Sequence, residues 1–518
     1  NGFGDAIGGL TGSGNIIGGG TLELDLRAGL VTTFSGSMTG AALSVRGNNQ
    51  DGTIAKQVLT GTLNTSGGNL DIKRGNGAND AVLLQLAGNG TSTVGSVRIG
   101  VSGSGSANLG VLDNHILNAT ALSIGDQNGH AGTMNQSGGT VNVSAAVRIG
   151  HWPNNTSSYN LSGGALNMTG IPGAQVNQSG VAEQNGVIYL GIDGTGNFVQ
   201  TGGTASAVAL VLDGRGNTAG TDTLTLNGGK MSLGNATNAT TIANSGIFSG
   251  SSNANTSYLI NLGGGTLGAN ANWNSALNMT LTGVNGNANI DTDGFNINLT
   301  GVISGPGGLN KLDNGTLSFN KANTYTGNTV ILGGTLALTG PGSIADSPVI
   351  SIANGAFLNV SGTTSTYHLK SGQSLVNNGT VVGNLITDAG SSVSPGLSIG
   401  TLNFTGNLDI DGGLVIEVDP IAPAVDMINV AGILDISGAT LDLSLSSIPF
   451  SLNVYVFAKY GTLVGNFADV IGLPRYYWID YNYRGQNQIA LVPAPEPATL
   501  GLLAVGGLGL LRRRRETR

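Results

Sequence analysis

The chain has 518 residues, of which 9% are charged where about 25% is usual, while glycine alone supplies 89. Such a composition argues against an ordinary enzyme and, since Glu and Lys are scarce, against a helical fold; 39% hydrophobic residues still suffice for a core. When the five arginines and two glutamates of the last 26 residues are set aside, 15 basic residues face 26 acidic ones, which argues against nucleic acid as a partner, and the lack of cysteine excludes disulfides and thiolate metal sites.

The first ten residues, NGFGDAIGGL, hold no Met, no basic segment and no long apolar run. The expectation is that a signal peptide has been removed or that the chain is a fragment. Residues 1–120 then read as irregular β-strand repeats punctuated by GG, GN and NG. In TLELDL, Leu22, Leu24 and Leu26 share one face and Glu23 and Asp25 the other, the alternation of a half-buried strand.

A register emerges next. Gly100, Gly125 and Gly150 close VRIG, LSIG and VRIG at intervals of 25, and Gly191 closes IYLG. Gly138, Gly163, Gly202 and Gly228 mark a second series (SGGT, SGGA, TGGT, NGGK) at intervals of 25, 39 and 26. The long interval contains residues 171–186, an insertion predicted to leave one coil as a loop. A period in the twenties, made of short strands and glycine turns, predicts an all-β, parallel β-solenoid (β-helix) in which each coil adds a layer to one apolar column. A sandwich is the competing architecture, but it does not require the sequence to repeat in register. Coils of about 25 residues are assigned to 121–235 and a continuation to 236–300.

From Gly301 the wording changes to GVISGPGGLNKLDNGTLSFNKANTYTGNTVILGGTLALTG. Leu317 and Phe319 are predicted to face inward, Asn314 and Gly315 to turn, and Val330, Leu332, Leu336 and Leu338 to face inward around Gly333 and Gly334. This region, 301–406, resembles the autotransporter-associated β-strand repeat of bacterial surface passengers. Gly305 to Gly308, Lys311, Gly315 to Leu317, the ANTYTG at 322–327 and Gly334 to Leu336 carry the likeness. Residues 407–492 read as an all-β capping domain: Leu414, Ile416 and Val418 alternate with Val415, Glu417 and Asp419, and an aromatic run, Tyr476, Tyr477, Trp478, Tyr481 and Tyr483, closes it.

The tail, 493–518, has three parts: a proline-rich joint, an uncharged apolar run of 14 residues at 498–511, and Arg512, Arg513, Arg514 and Arg515. The run is shorter than the 17 to 25 residues of an ordinary span, so a buried helix competes on length; four terminal arginines favour a membrane helix with a cytoplasmic stop. Pro495, Glu496 and Pro497, the Gly/Leu/Ala run and the arginines resemble the PEP-CTERM sorting signal of Gram-negative bacteria. That resemblance implies export, recognition by a membrane-embedded exosortase, removal of the anchor and delivery to the outer surface or its polysaccharide matrix. A plain, unprocessed single-pass anchor is the alternative.

Chemistry-bearing patterns are weak. GLSIG around Ser398 has the form of a nucleophile elbow, but no helical pattern follows and LSIG recurs at 122–125 as part of the repeat. Asp291 with Asp293, Asp409 with Asp411, and the DGTGN at 193–197 read as turn chemistry before calcium sites. His115, His130, His151 and His368 show neither HExxH spacing nor a local carboxylate partner. The Tyr476 to Tyr483 aromatics could stack on carbohydrate, but more often such residues close a core.

Taken together, these patterns predict an exported, non-enzymatic structural or adhesive protein of the surface or matrix. No cofactor, metal or catalytic residue is assigned. Its expected partners are an exosortase, the cytoplasmic membrane before processing, and extracellular polysaccharide or neighbouring surface proteins. The alternatives are a carbohydrate-active β-helix enzyme, a lyase or glycoside hydrolase, and a membrane-anchored stalk.

Overall fold

A computed structural model describes residues 7–48, 53–75, 77, 80–170, 175–178, 181–213, 220–234, 245–250, 257–396, 398–419, 424–443 and 453–494. The chain forms two compact units, the first from residues 1–328 and 342–346, the second from 329–341 and 347–518. Both are all-β, and each is a parallel β-solenoid.

In the first unit each coil is a triangle of three short strands. One coil uses the two halves of Thr91–Ile99 and then Ser106–Val111; the next uses Ile116–Ile124 and then the start of Gly132–Val143. Equivalent strands pair in parallel, so that Ile99 lies over Ile124, Ile124 over Ile149, Ile149 over Leu190 and Leu190 over Leu212. All five are fully buried. The 25-residue spacing is therefore one circuit of the coil, and the xIG series is one inward column. Each such side chain contributes roughly 1.5 to 3 kcal/mol of burial, which a coil in isolation could not collect on every side.

The two glycine series are two of the corners. The GG series turns the third strand of one coil into the first of the next, and consecutive corners stack closely. A Cβ on Gly164, whose φ is +76°, would meet the carbonyl oxygens of Gly138 and Gly139 at 2.3 Å, so only glycine fits. Beside these corners a buried glutamine satisfies carbonyls the turn leaves over: Gln136 Nε2 donates to Ala165 O at 2.9 Å, and Gln200 Nε2 to Gly203 O and Lys230 O at 3.1 Å.

The insertion after Gly170 leaves the coil as an antiparallel hairpin, Gln175–Gln178 with Val181–Gln184, and the solenoid resumes in register at Val187–Leu190. Outward columns are laddered by asparagine amides. Asn142 donates to Asn118 and Asn167 to Asn142, at 2.9 and 3.0 Å.

The 301–340 segment follows its predicted pattern in part. Leu317, Phe319, Leu336 and Leu338 are inside, and Asp313 and Gly315 take positive φ in the turn. Within the ANTYTG, Tyr325 is buried and Asn323 Oδ1 accepts from Ile303 N at 2.8 Å. Val330 and Leu332 do not face inward: Leu332 is 53% exposed and Val330 half-buried, while Thr329 and Ile331 fill the inner positions of Thr329–Ile331. The register moves by one because Thr329 Oγ1 lies 2.9 Å from Ser347 Oγ, which satisfies a polar group inside, so hydrophobicity alone misplaces the strand.

The second unit stacks its own column, Ile350, Leu375, Val393, Leu414 and Leu441. Leu414, Ile416 and Val418 are buried as predicted. Parallel pairing runs on to Asp469–Ile471, and the direction then reverses. Gln488–Pro493 lies antiparallel to both Tyr455–Val464 and Tyr477–Asp480, covering the free edge of Tyr455–Val464.

Candidate functional site

The repeat that builds the core also aligns polar groups on its outside. Arg98, Ser123 and Arg148 occupy one outward register column. The following corner sets Asp126, Gln127 and Asn128 of one coil beneath His151 and Trp152 of the next. With Ser96 these residues line an open cleft of about 540 Å³.

Within it Arg98 donates from Nε and Nη2 to the Asp71 carboxylate of the preceding coil at 2.8 and 2.6 Å. This bidentate bond and the Asp126 carboxylate, 3.9 Å from Nε, hold the guanidinium above its ordinary pKa. Asp126 Oδ1 is also 2.9 Å from His151 Nδ1. Arg148 is buried beneath, with Nη1 3.4 Å from Ser123 Oγ. Trp152 is 38% exposed at the rim and tilts against the His151 ring, centroids 5.7 Å apart. An exposed indole beside planar amide, carboxylate and guanidinium groups can stack on and hydrogen-bond a sugar-sized polar ligand. Among the described lining residues the cleft has a single carboxylate, whereas glycoside hydrolysis ordinarily needs two across the scissile bond.

Sequence reasoning did not assemble this cleft, since its residues are 25 apart and reading for local motifs separates them. The signal was present in the same interval that aligned the isoleucines, which overlays Arg98 on Ser123 and Arg148, and Asp126 on His151. His368, like His151, finds a carboxylate one coil away, and His115 finds a hydroxyl there. His368 Nδ1 is 2.6 Å from Asp388, and His115, buried, lies 2.9 Å from Ser92 Oγ with its pKa lowered by desolvation.

Asp291 pairs with Lys230 at 2.6 Å and accepts from Asp293 N in a turn. Ser398 sits on a bend, not at a strand-to-helix junction. Among the described residues no group of three or more His, Asp or Glu is placed to hold a metal ion.

The aromatic run divides. Tyr477 is buried against Tyr455, and Tyr481 packs on Phe467 while Tyr460 Oη donates to Tyr481 O at 2.6 Å. Tyr476 and Trp478 are 46% and 47% exposed. The last described residues lie beside them: Trp478 pairs with Val492, Tyr477 with Pro493, and Ala494 N donates to Tyr476 O at 2.7 Å.

From Pro493 onward, residues 493–515 fit a known family model. They match the PEP-CTERM protein-sorting motif. The match marks the chain for export and membrane-anchored processing, of the kind an exosortase performs. Pro495, Glu496, Pro497, the run 498–511 and Arg512 to Arg515 all lie within it but outside the described residues. Among the described residues no helix is long and apolar enough to cross a membrane. A stretch of 174 residues, 32% of this chain, is 30% identical to the adhesin BmaC autotransporter of Brucella suis biovar 1 (strain 1330), and spans 5% of that protein.

Proposed function

We propose that this chain is an exported, non-enzymatic structural or adhesive protein of the bacterial surface or extracellular matrix, sorted by an exosortase through its tail. One observation carries the reading: the last strand of a repeated-coil scaffold, Gln488–Pro493, leads directly into a matching sorting motif. The likeness to an adhesin over part of the chain supports a surface role. Pro495 and Pro497 lack N–H donors and keep the joint extended, and Glu496 is its one charge; these three are assigned to recognition and processing. Arg512 to Arg515 hold the opposite end of the apolar run at the cytoplasmic face. The cleft at Arg98 and Trp152 is the assigned contact for extracellular polysaccharide.

The test is the fate of the tail. Replacing Pro495, Glu496 and Pro497 with Ala is expected to leave an unprocessed form in the inner membrane, and Ser in place of the four arginines to weaken orientation before cleavage. Mass spectrometry of the mature C-terminus reads both. If both variants reach the surface with the parent's C-terminus, the tail is not a sorting signal.

A second reading, a carbohydrate-active enzyme, is favoured by one observation: Asp126, His151 and Arg98 share a cleft. Turnover of a polysaccharide panel that disappears in Asp126→Asn would establish it; binding without turnover, lost in Trp152→Ala, supports the adhesive reading.

A further inference from the structure

Near Ala494, the last described residue, the chain presents an edge of exposed apolar side chains. Between Ile471 and Trp478, Ile471, Leu473, Tyr476 and Trp478 are each 41 to 47% exposed, whereas Tyr477 between them is buried. Arg475 stacks over the Tyr476 ring at 5.2 Å. Tyr476 has a φ of +70°, a conformation that a bulky residue rarely adopts, and this turn sets its ring apart from the buried Tyr477. Exposed positions at the end of one strand, in the connection after it and on the next strand could have been polar at no cost to the core; here they are large and apolar.

Chain length fixes what these residues are close to. Ala494 is hydrogen-bonded to Tyr476, and three residues, 495–497, separate it from the apolar run that begins at Ala498. The four steps from Ala494 to Ala498 span at most about 14 Å when fully extended. The headgroup layer on one side of a bilayer is roughly 5 to 8 Å deep. While the tail is inserted, the edge bearing Tyr476 is therefore tethered within reach of the headgroups.

We propose that Ile471, Leu473, Tyr476 and Trp478 seat the C-terminal cap on the outer face of the cytoplasmic membrane before processing, and that the partner of this edge is the lipid interface. The proposal rests on the sorting-motif reading of the tail. Tyr and Trp are the side chains that partition to that layer, their rings among acyl chain ends and their polar atoms among headgroups. Arg475 adds attraction for anionic lipid phosphates. Seating the cap would hold the 495–497 joint at one depth and orientation during cleavage, a constraint that the tether alone does not impose.

The experiment uses the full chain carrying Trp152→Phe, reconstituted in vesicles of phosphatidylethanolamine with one quarter phosphatidylglycerol. Trp273 is buried, so Trp478 is the remaining exposed tryptophan among the described residues. Its emission is expected to shift to the blue and to lose roughly half its intensity to lipids brominated near the headgroup, as an interfacial indole does. A further Trp478→Ser change removes that response, while near-ultraviolet circular dichroism checks that the Tyr455 and Tyr477 packing survives. Vesicle flotation reports tail insertion separately. A chain that floats but shows solvent-like, unquenched Trp478 emission overturns the proposal and leaves the sorting reading intact. A chain that does not float overturns both.

Discussion

The buried Tyr159 hydroxyl donates to Gln136 Oε1 at 2.5 Å, one coil earlier, and the Tyr159 ring stacks on Phe198, one coil later, at 5.3 Å. Burial raises the phenol's pKa and so favours its neutral, donating form. Tyr159→Phe keeps the stack and strands a buried acceptor, which is expected to cost about 1 to 3 kcal/mol. Gln136→Leu is expected to cost more, because Gln136 also serves corner carbonyls. Urea midpoints of the two variants check the order.

Gly164 and Gly129 have nearly the same positive φ, +76° and +74°, but Gly129 faces open space. Gly129→Ala is expected to cost about 1 kcal/mol of backbone strain, whereas Gly164→Ala adds a collision with stacked carbonyls and should lower the melting temperature several times further. Equal shifts would show that the corners do not stack closely.

Ile124 lies within the inward column, and Ile116, at the other end of the same strand, is 38% exposed. Ile124→Ala is expected to cost about 2 to 5 kcal/mol through lost burial and a cavity. Ile116→Ala should cost a small fraction of that in the same denaturation assay.

Asp222 and Asp426 each accept two backbone N–H bonds from inside a coil, from Gly196 and Asp213 and from Gly400 and Glu417. Burial nevertheless pushes Asp222 up to about 7 and Asp426 up to about 6. A carboxyl whose folded pKa is raised binds more protons folded than unfolded, so stability falls as pH rises from about 4 towards 7. Melting temperatures measured across that window should decline for the parent and flatten in the Asp222→Asn, Asp426→Asn double variant. The variant's acid-side value should also drop, since an amide offers one acceptor oxygen for two N–H groups.

The inward columns were legible because apolar identity and glycine position repeat together: Ile99, Ile124 and Ile149 need no structure to be aligned. The strand at Thr329 was misread because its inner position holds a hydroxyl whose partner, Ser347, is on another coil. Lys311 shows the same limit. The repeat places it, yet its complete burial, with Nζ donating to Leu312 O and Asp313 O at 2.7 Å and its pKa lowered to about 8 by desolvation, is not written in any local pattern. The cleft at Arg98 was hidden for the opposite reason: its charges recur with the core's period, but a reader looking for motifs compares neighbours in sequence before neighbours in space.

Paired residues in these coils stand a short distance apart in the sequence wherever the coil lies, 25 for Ile99 and Ile124, 21 for Ile290 and Lys311, 18 for Leu375 and Val393, and 41 for Ile149 and Leu190 across the hairpin insertion. Contact order in residues therefore does not grow as coils are added, and the search that closes each layer stays as short as that of a small domain. A chain threaded unfolded through a membrane can wind up on the far side as it emerges, each new coil templated by the edge of the last. Pulled from an end, it should yield in the reverse order, releasing about 80 Å of extended chain with every 25-residue coil that peels away.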